Sequence, residues 1–125
     1  MFFSEARNLG FLMNVDWFQP FKNTDYSLGV IYLAIVNLPR EERFKWENII
    51  VCGIIPGPSE PKFNINTYLQ PIVDELEKGW RGILINDGGL LEENLYKFAL
   101  ICLSSDIPAT RKCGGFVGFS ATKGW

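Results

Sequence analysis

The chain has 125 residues, a formal net charge of −2, 47% hydrophobic residues and 21% charged residues. These totals suit a single globular domain, and the negative charge argues against a basic surface that coats nucleic acid, because phosphate neutralisation dominates such binding. The sequence contains no histidine, which excludes Cys–His and Ser–His nucleophilic sites within the chain.

The cysteines and the apolar runs bear on the compartment of the protein and on whether it contacts a membrane. Cys52, Cys102 and Cys113 are interpreted as small buried hydrophobic residues in a reducing compartment, since no pair has the spacing of zinc ligands. The first seven residues lack the basic start and apolar core of a secretory signal. The longest apolar run, residues 30–36, is too short to cross a bilayer, so we expect no membrane contact.

Three strands are predicted in the first half of the chain. Residues 9–15 are apolar on both faces, which is typical of a central strand covered on both sides, and they lead into Asp16. Residues 26–38 predict a second strand antiparallel to the first, and residues 48–55 predict a third. The connection between the second and third strands is charged, and its aromatic residues Phe44 and Trp46 are expected to fold back on the core.

The clearest helical pattern covers residues 64–80, where apolar side chains recur every three or four positions. Asn64 or Asn66 is expected to cap its start. Pro71 leaves two alternatives, because proline removes a helical amide: the helix begins at Pro71, or a short first turn precedes a kink. The acidic residues of this segment are expected to face solvent.

A hairpin and a short helix are predicted after the long helix. Residues 82–86 and 95–103 predict its two strands, and the glycines after Asp87 indicate the turn between them. Pro108 fits the first turn of a short helix. No repeat or linker divides the chain, so residues 1–125 are interpreted as one domain.

Two aspartates stand in similar settings about ninety positions apart. Asp16 and Asp106 each follow an apolar strand and precede a proline. The order of elements predicts an α/β fold on the ribonuclease-H-like plan, with three antiparallel strands, a helix, a hairpin and a fourth main strand beside the first. That adjacency would bring Asp16 and Asp106 together as a metal site, although aspartates at strand ends also serve only to cap turns.

Several blocks of sequence follow one another in a recognisable order along nearly the whole chain. They are residues 14–21 (NVDWFQPF), Tyr26-Ser27, Asn37-Leu38-Pro39, residues 57–61 (GPSEP) leading to residues 64–69 (NINTYL), and residues 106–109 (DIPA) with residues 114–118 (GGFVG). Together these blocks resemble those of one family, the CACTA-type (En/Spm) DDE transposases and their transposase-domain relatives.

The resemblance implies a function in metal-dependent DNA cleavage and strand transfer. Asp16 and Asp106 are similar to the first two acids of the DDE triad and would hold Mg²⁺ or Mn²⁺. The implied partner is DNA at transposon ends, with no small-molecule substrate, and the implied location is nuclear. Lys22, Arg111 and Lys112 flank the two acids and could meet phosphate, although a solvated surface is the simpler interpretation.

The chain also departs from the family pattern. The third acid of the triad would lie beyond Trp125, and Phe119 and Trp125 stand where the resemblance predicts a histidine and a cysteine. We therefore expect an incomplete ribonuclease-H-like core that is inactive alone. The alternatives are a non-catalytic transposon remnant or interaction module, whose exposed sheet edges would favour self-association, and an unrelated α/β domain.

Overall fold

The computed structural model of the chain describes residues 1–58, 64–88, 92–105 and 113. The five predicted strands and the long predicted helix all form, with ends that differ by a few residues from the predicted ones. The strands are β1 (Asn8–Phe18), β2 (Leu28–Ile35), β3 (Ile49–Ile55), β4 (Ile83–Ile85) and β5 (Asn94–Ser105). The helices are α1 (Arg40–Arg43) and α2 (Asn66–Arg81), with 3-10 turns at Phe2–Ser4 and Trp46–Asn48.

The five strands form one mixed sheet in the order β3-β2-β1-β5-β4. Strand β1 pairs antiparallel with β2, and β2 pairs antiparallel with β3. On its other side β1 pairs in parallel with β5, and β4 joins β5 as an antiparallel hairpin. This topology confirms the predicted α/β fold on a partial ribonuclease-H-like plan, with the first and fourth main strands side by side.

The core lies between the sheet and α2. Its buried members on the sheet include Phe11, Met13 and Val15 of β1, and helix α2 contributes Leu69. Alternate residues of a strand point to opposite faces, so these three β1 side chains define the face that α2 covers. Burial of these apolar side chains is the main stabilising contribution to the fold.

Helix α2 begins before Pro71 and continues through it, so of the two alternatives the one in which the helix starts at Pro71 is wrong. Ile65 occupies the capping position and makes no side-chain cap bond, while Asn64 adopts a left-handed φ of 74°. The predicted asparagine cap is therefore wrong too. At the other end, the amide of Gly82 donates to the Gly79 and Lys78 carbonyls, which closes the helix.

Two expectations about burial are wrong. Phe44 is 55% exposed and Trp46 is 86% exposed, so neither folds back on the core. Arg43 ties the connection to the end of β2, because its Nη2 donates to the carbonyls of Val36 and Leu38 at 2.8 and 3.1 Å.

The cysteines also differ from expectation. Cys102 is exposed because it alternates with Leu103 along β5, and Leu103 is the one that packs against the core. Cys52 and Cys113 are only half-buried. Within the described ranges, no helix combines the length and the apolar character that crossing a bilayer requires.

Candidate functional site

Asp16 lies near the end of β1, on the sheet face that α2 does not cover. Its neighbour Val15 is 1% exposed in the core, so strand alternation turns the Asp16 carboxylate to the opposite face, where it is exposed. The amide of Trp17 donates to Asp16 Oδ1 at 2.9 Å. The strand itself therefore orients the carboxylate towards solvent.

Asn14 and Tyr32 form a polar pair beside Asp16. Asn14 precedes Asp16 by two residues and shares its face of β1, and Tyr32 is the residue opposite Asn14 on β2. Asn14 Nδ2 donates to the Tyr32 hydroxyl. The sequence interpretation did not single out these two residues. The available signal was an asparagine two positions before the aspartate in an otherwise apolar strand.

On the other face, Trp17 supports the strand next to Asp16. Trp17 lies opposite Gly29 in the β1–β2 register. A Cβ at Gly29 would come within 2.8 Å of the indole ring, so only glycine leaves room for the ring over β2 at this position. The close approach of Trp17 to β2 thus depends on Gly29.

The parallel pairing of β1 and β5 ends one residue before the second predicted acid, Asp106, in the sequence. Its register ends at Val15 opposite Ser105, one residue before Asp16 on β1. Asp106 follows Ser105 in sequence and lies outside the described residues, as do Arg111 and Lys112. The meeting of the two aspartates therefore stays a prediction, and Lys22 is placed as an exposed residue after the end of β1.

The donor chemistry at Asp16 suits a hard divalent cation as one ligand of a larger set. An exposed carboxylate with one oxygen held by an amide offers the kind of oxygen that Mg²⁺ and Mn²⁺ prefer. Over the ranges that the structure describes, no group of three acidic or cysteine side chains comes together. A metal site that includes Asp16 therefore stays a prediction.

Glu92 and Glu93 lie far from Asp16 along the sheet. They precede β5 at Asn94, whereas Asp16 lies level with the other end of the same strand. A strand of 12 residues spans roughly 35–40 Å, at about 3.3 Å per residue. Glu92 and Glu93 therefore lie outside the Asp16 site.

Other residues of the resemblance blocks join strands rather than line the Asp16 site. The Ser27 amide donates to the Pro58 carbonyl at 2.9 Å, and the Gly57 amide donates to the Tyr26 hydroxyl at 3.2 Å. The block before β2 is thereby tied to the block after β3. These contacts assign a structural role to Tyr26 and Ser27 and to Gly57 and Pro58.

Three of the described groups away from Asp16 have raised pKa values, and the hydrogen bond to Glu75 is the main cause for Lys78. The Tyr96 hydroxyl donates to Asp87 Oδ2 at 2.8 Å, and this hydrogen bond raises the pKa of Tyr96 above its ordinary value. Burial raises the pKa of the Cys52 thiol. A raised thiol pKa lowers the thiolate fraction, so Cys52 is not poised as a nucleophile.

The fold and the exposed acid on the central strand define an α/β chain of the partial ribonuclease-H-like class. A family model described as transposase family tnp2 matches residues 1–124. The chain therefore belongs to the transposase family tnp2, and this membership supports a transposase-related function and indicates an interaction with DNA in general. Searches of curated proteins and of solved structures found no match.

Proposed function

We propose that residues 1–125 are part of a DDE transposase core of the CACTA type, which cleaves and joins DNA with the help of divalent metal ions. The observation that carries this proposal is the parallel pairing of β1 and β5 up to Val15 and Ser105. Asp16 and Asp106 are the next residues of the two chain segments. Continuation of the register by one residue would place the two carboxylates side by side.

Asp16 and Asp106 would hold Mg²⁺ or Mn²⁺ between them. When bound, such ions activate the attacking hydroxyl and stabilise the leaving oxygen of a phosphodiester. The Trp17 amide fixes one oxygen of Asp16, which presents the carboxylate in one orientation. Two neighbouring carboxylates repel each other when both are ionised, so a cation at this position also stabilises the folded chain.

We propose that the chain alone does not process DNA. The part of it that the structure describes contains no group of three acidic side chains placed to hold a metal ion, and two acids position a metal pair poorly. The action on chromosomal DNA that a transposase carries out implies a nuclear location. A non-catalytic interaction module is the second candidate, supported by the exposed apolar side chains of the edge strand β3.

Titration with Mn²⁺ tests the proposed metal site. In an isotope-labelled sample of the 125-residue chain, we expect paramagnetic broadening of amide signals centred on Asp16 and Asp106. Asp16→Asn and Asp106→Asn should each weaken Mn²⁺ binding about tenfold or more, because each removes a charged ligand. Asp74→Asn is the matched control, since Asp74 is an exposed aspartate on α2.

Broadening that is scattered over the surface, or that is the same in the Asp16→Asn and Asp74→Asn samples, would show that the two aspartates do not form a metal site. A nicking and strand-transfer assay with Mg²⁺ or Mn²⁺ tests the proposed inactivity separately. We expect no product above the Asp16→Asn background. Metal-dependent product above that background would overturn the inactivity and leave the metal site standing.

A further inference from the structure

The outer side of β3 lacks a backbone partner among the described residues. This strand lies at one end of the sheet, and within the described ranges it pairs only with β2. Its seven residues, IIVCGII, include no charge and no proline. Proteins normally protect exposed edges with charges, prolines or very short strands. The opposite edge shows such protection, because β4 has only three residues.

A bulge places two exposed apolar side chains of β3 on the same face. Val51 pairs with Tyr32 and Ile54 pairs with Val30, and the register shifts between these pairs at Cys52. Tyr32 and Val30 are two residues apart on β2 and therefore share a face. Val51, which is 53% exposed, and Ile54, which is 58% exposed, consequently lie on that same face although they are three residues apart.

This spacing is self-complementary under a two-fold axis. If a second β3 runs antiparallel to the first with the axis between Cys52 and Gly53, Val51 of each copy lies opposite Ile54 of the other. Ile50, which is 43% exposed on the α2 face, then lies opposite Ile55 of the second copy. The same two-fold relation makes the bulge of one strand face the bulge of the other.

We propose that β3 is a homodimerisation edge, at which two copies of this chain join their sheets by antiparallel β3–β3 pairing. Open backbone groups require an extended strand as the occupant. A second copy meets this requirement, and the lack of charge on β3 avoids the like-charge contacts that two-fold pairing would otherwise create. Cross-strand contact of Val51 with Ile54 covers apolar surface that is exposed in a single copy.

Sedimentation equilibrium of the 125-residue chain without added metal tests this proposal. We expect the wild-type chain to change from monomer to dimer as its concentration rises. Val51→Lys and Ile54→Lys should each raise the dimer dissociation constant about tenfold or more, because each places an ammonium in the apolar contact. Leu84→Lys is the matched control on β4, where Leu84 is 60% exposed, and it should leave the constant unchanged.

Any of three sedimentation results would overturn the proposal: a monomer at every concentration, a wild-type dissociation constant in both β3 variants, or loss of the dimer in the Leu84→Lys control. The substituted side chains are more than half exposed, so the variants should retain the wild-type circular dichroism. Hydrogen exchange on the wild-type chain gives a second readout. Amides of β3 should become more protected with rising protein concentration, and equal protection at all concentrations would contradict β3 pairing.

Discussion

At the residue scale, Asn37 extends the pairing of β1 and β2 beyond the end of β2. Its Oδ1 accepts from the Gly10 amide at 2.8 Å, and its Nδ2 donates to the Asn8 carbonyl at 2.9 Å. One side chain thereby satisfies a backbone donor and a backbone acceptor of β1. The same asparagine belongs to one of the sequence blocks that carry the family resemblance, and the structure assigns it to strand joining.

We expect Asn37→Ala to lower the free energy of unfolding by about 1–3 kcal/mol, because it leaves the Gly10 amide and the Asn8 carbonyl without this partner. Urea unfolding followed by circular dichroism measures the change. Asn66→Ala is the control, since Asn66 is exposed in the first turn of α2, and it should change stability by less than about 0.5 kcal/mol. Equal stabilities of the two variants would contradict the bridging role of Asn37.

At the element scale, the contact of α2 with β5 depends on Gly79. Gly79 is buried in the last turns of α2, and a Cβ there would approach the Phe98 Cβ and Cγ atoms at 2.8 Å. Phe98 cannot withdraw easily, because its ring packs edge-on against Phe11 with centroids 5.5 Å apart. The absence of a side chain at Gly79 therefore sets how closely the helix lies on the sheet.

Gly79→Ala should destabilise the fold even though alanine favours helix. The gain in helix propensity is about 1 kcal/mol, whereas forcing an extra methyl into a packed contact costs about 1–3 kcal/mol. Thermal or urea unfolding should show a net loss of stability. The control is Gly53→Ala on β3, where the nearest atom to the added Cβ is Ile31 Cδ1 at 3.9 Å and no clash results. A Gly79→Ala variant more stable than wild type would show that the helix moves away freely.

At the scale of the whole molecule, the net charge of −2 limits what the chain can do with DNA alone. Non-specific DNA binding derives from neutralised phosphates, and its affinity falls with salt in proportion to their number. We expect the isolated chain to bind duplex DNA no tighter than about 10⁻⁴ M at physiological salt, with a small salt slope. Fluorescence anisotropy at several salt concentrations measures both quantities.

Substitution of Lys22 tests whether this side chain contributes to the DNA affinity. If Lys22 meets a phosphate, Lys22→Gln should reduce the salt slope by about one. Lys78→Gln is the matched control, because the Lys78 ammonium already pairs with Glu75 at 2.6 Å on α2, and it should leave the slope unchanged. Tight binding with a steep salt slope would contradict the weak interaction predicted here.

The structural features that depend on residues close together in the chain could be predicted from the sequence. Period-two alternation and apolar runs identified the strands, and three- and four-residue spacing identified α2. The order of these elements was sufficient for the α/β topology and for the position of Asp16 at the end of the central strand. These features follow from backbone periodicity, which short segments of sequence encode.

The tertiary structure decided what depends on residues far apart in the chain. The exposure of Trp46, the bridging by Asn37 and the bulge at Cys52 each arise from contacts with other segments, and no local pattern specifies them. Asn14 and Tyr32 likewise join the Asp16 face only through the β1–β2 register. The sequence by itself thus determined the main elements and two candidate acids, and packing determined the partners of the described elements, because long-range contacts select the register and the burial.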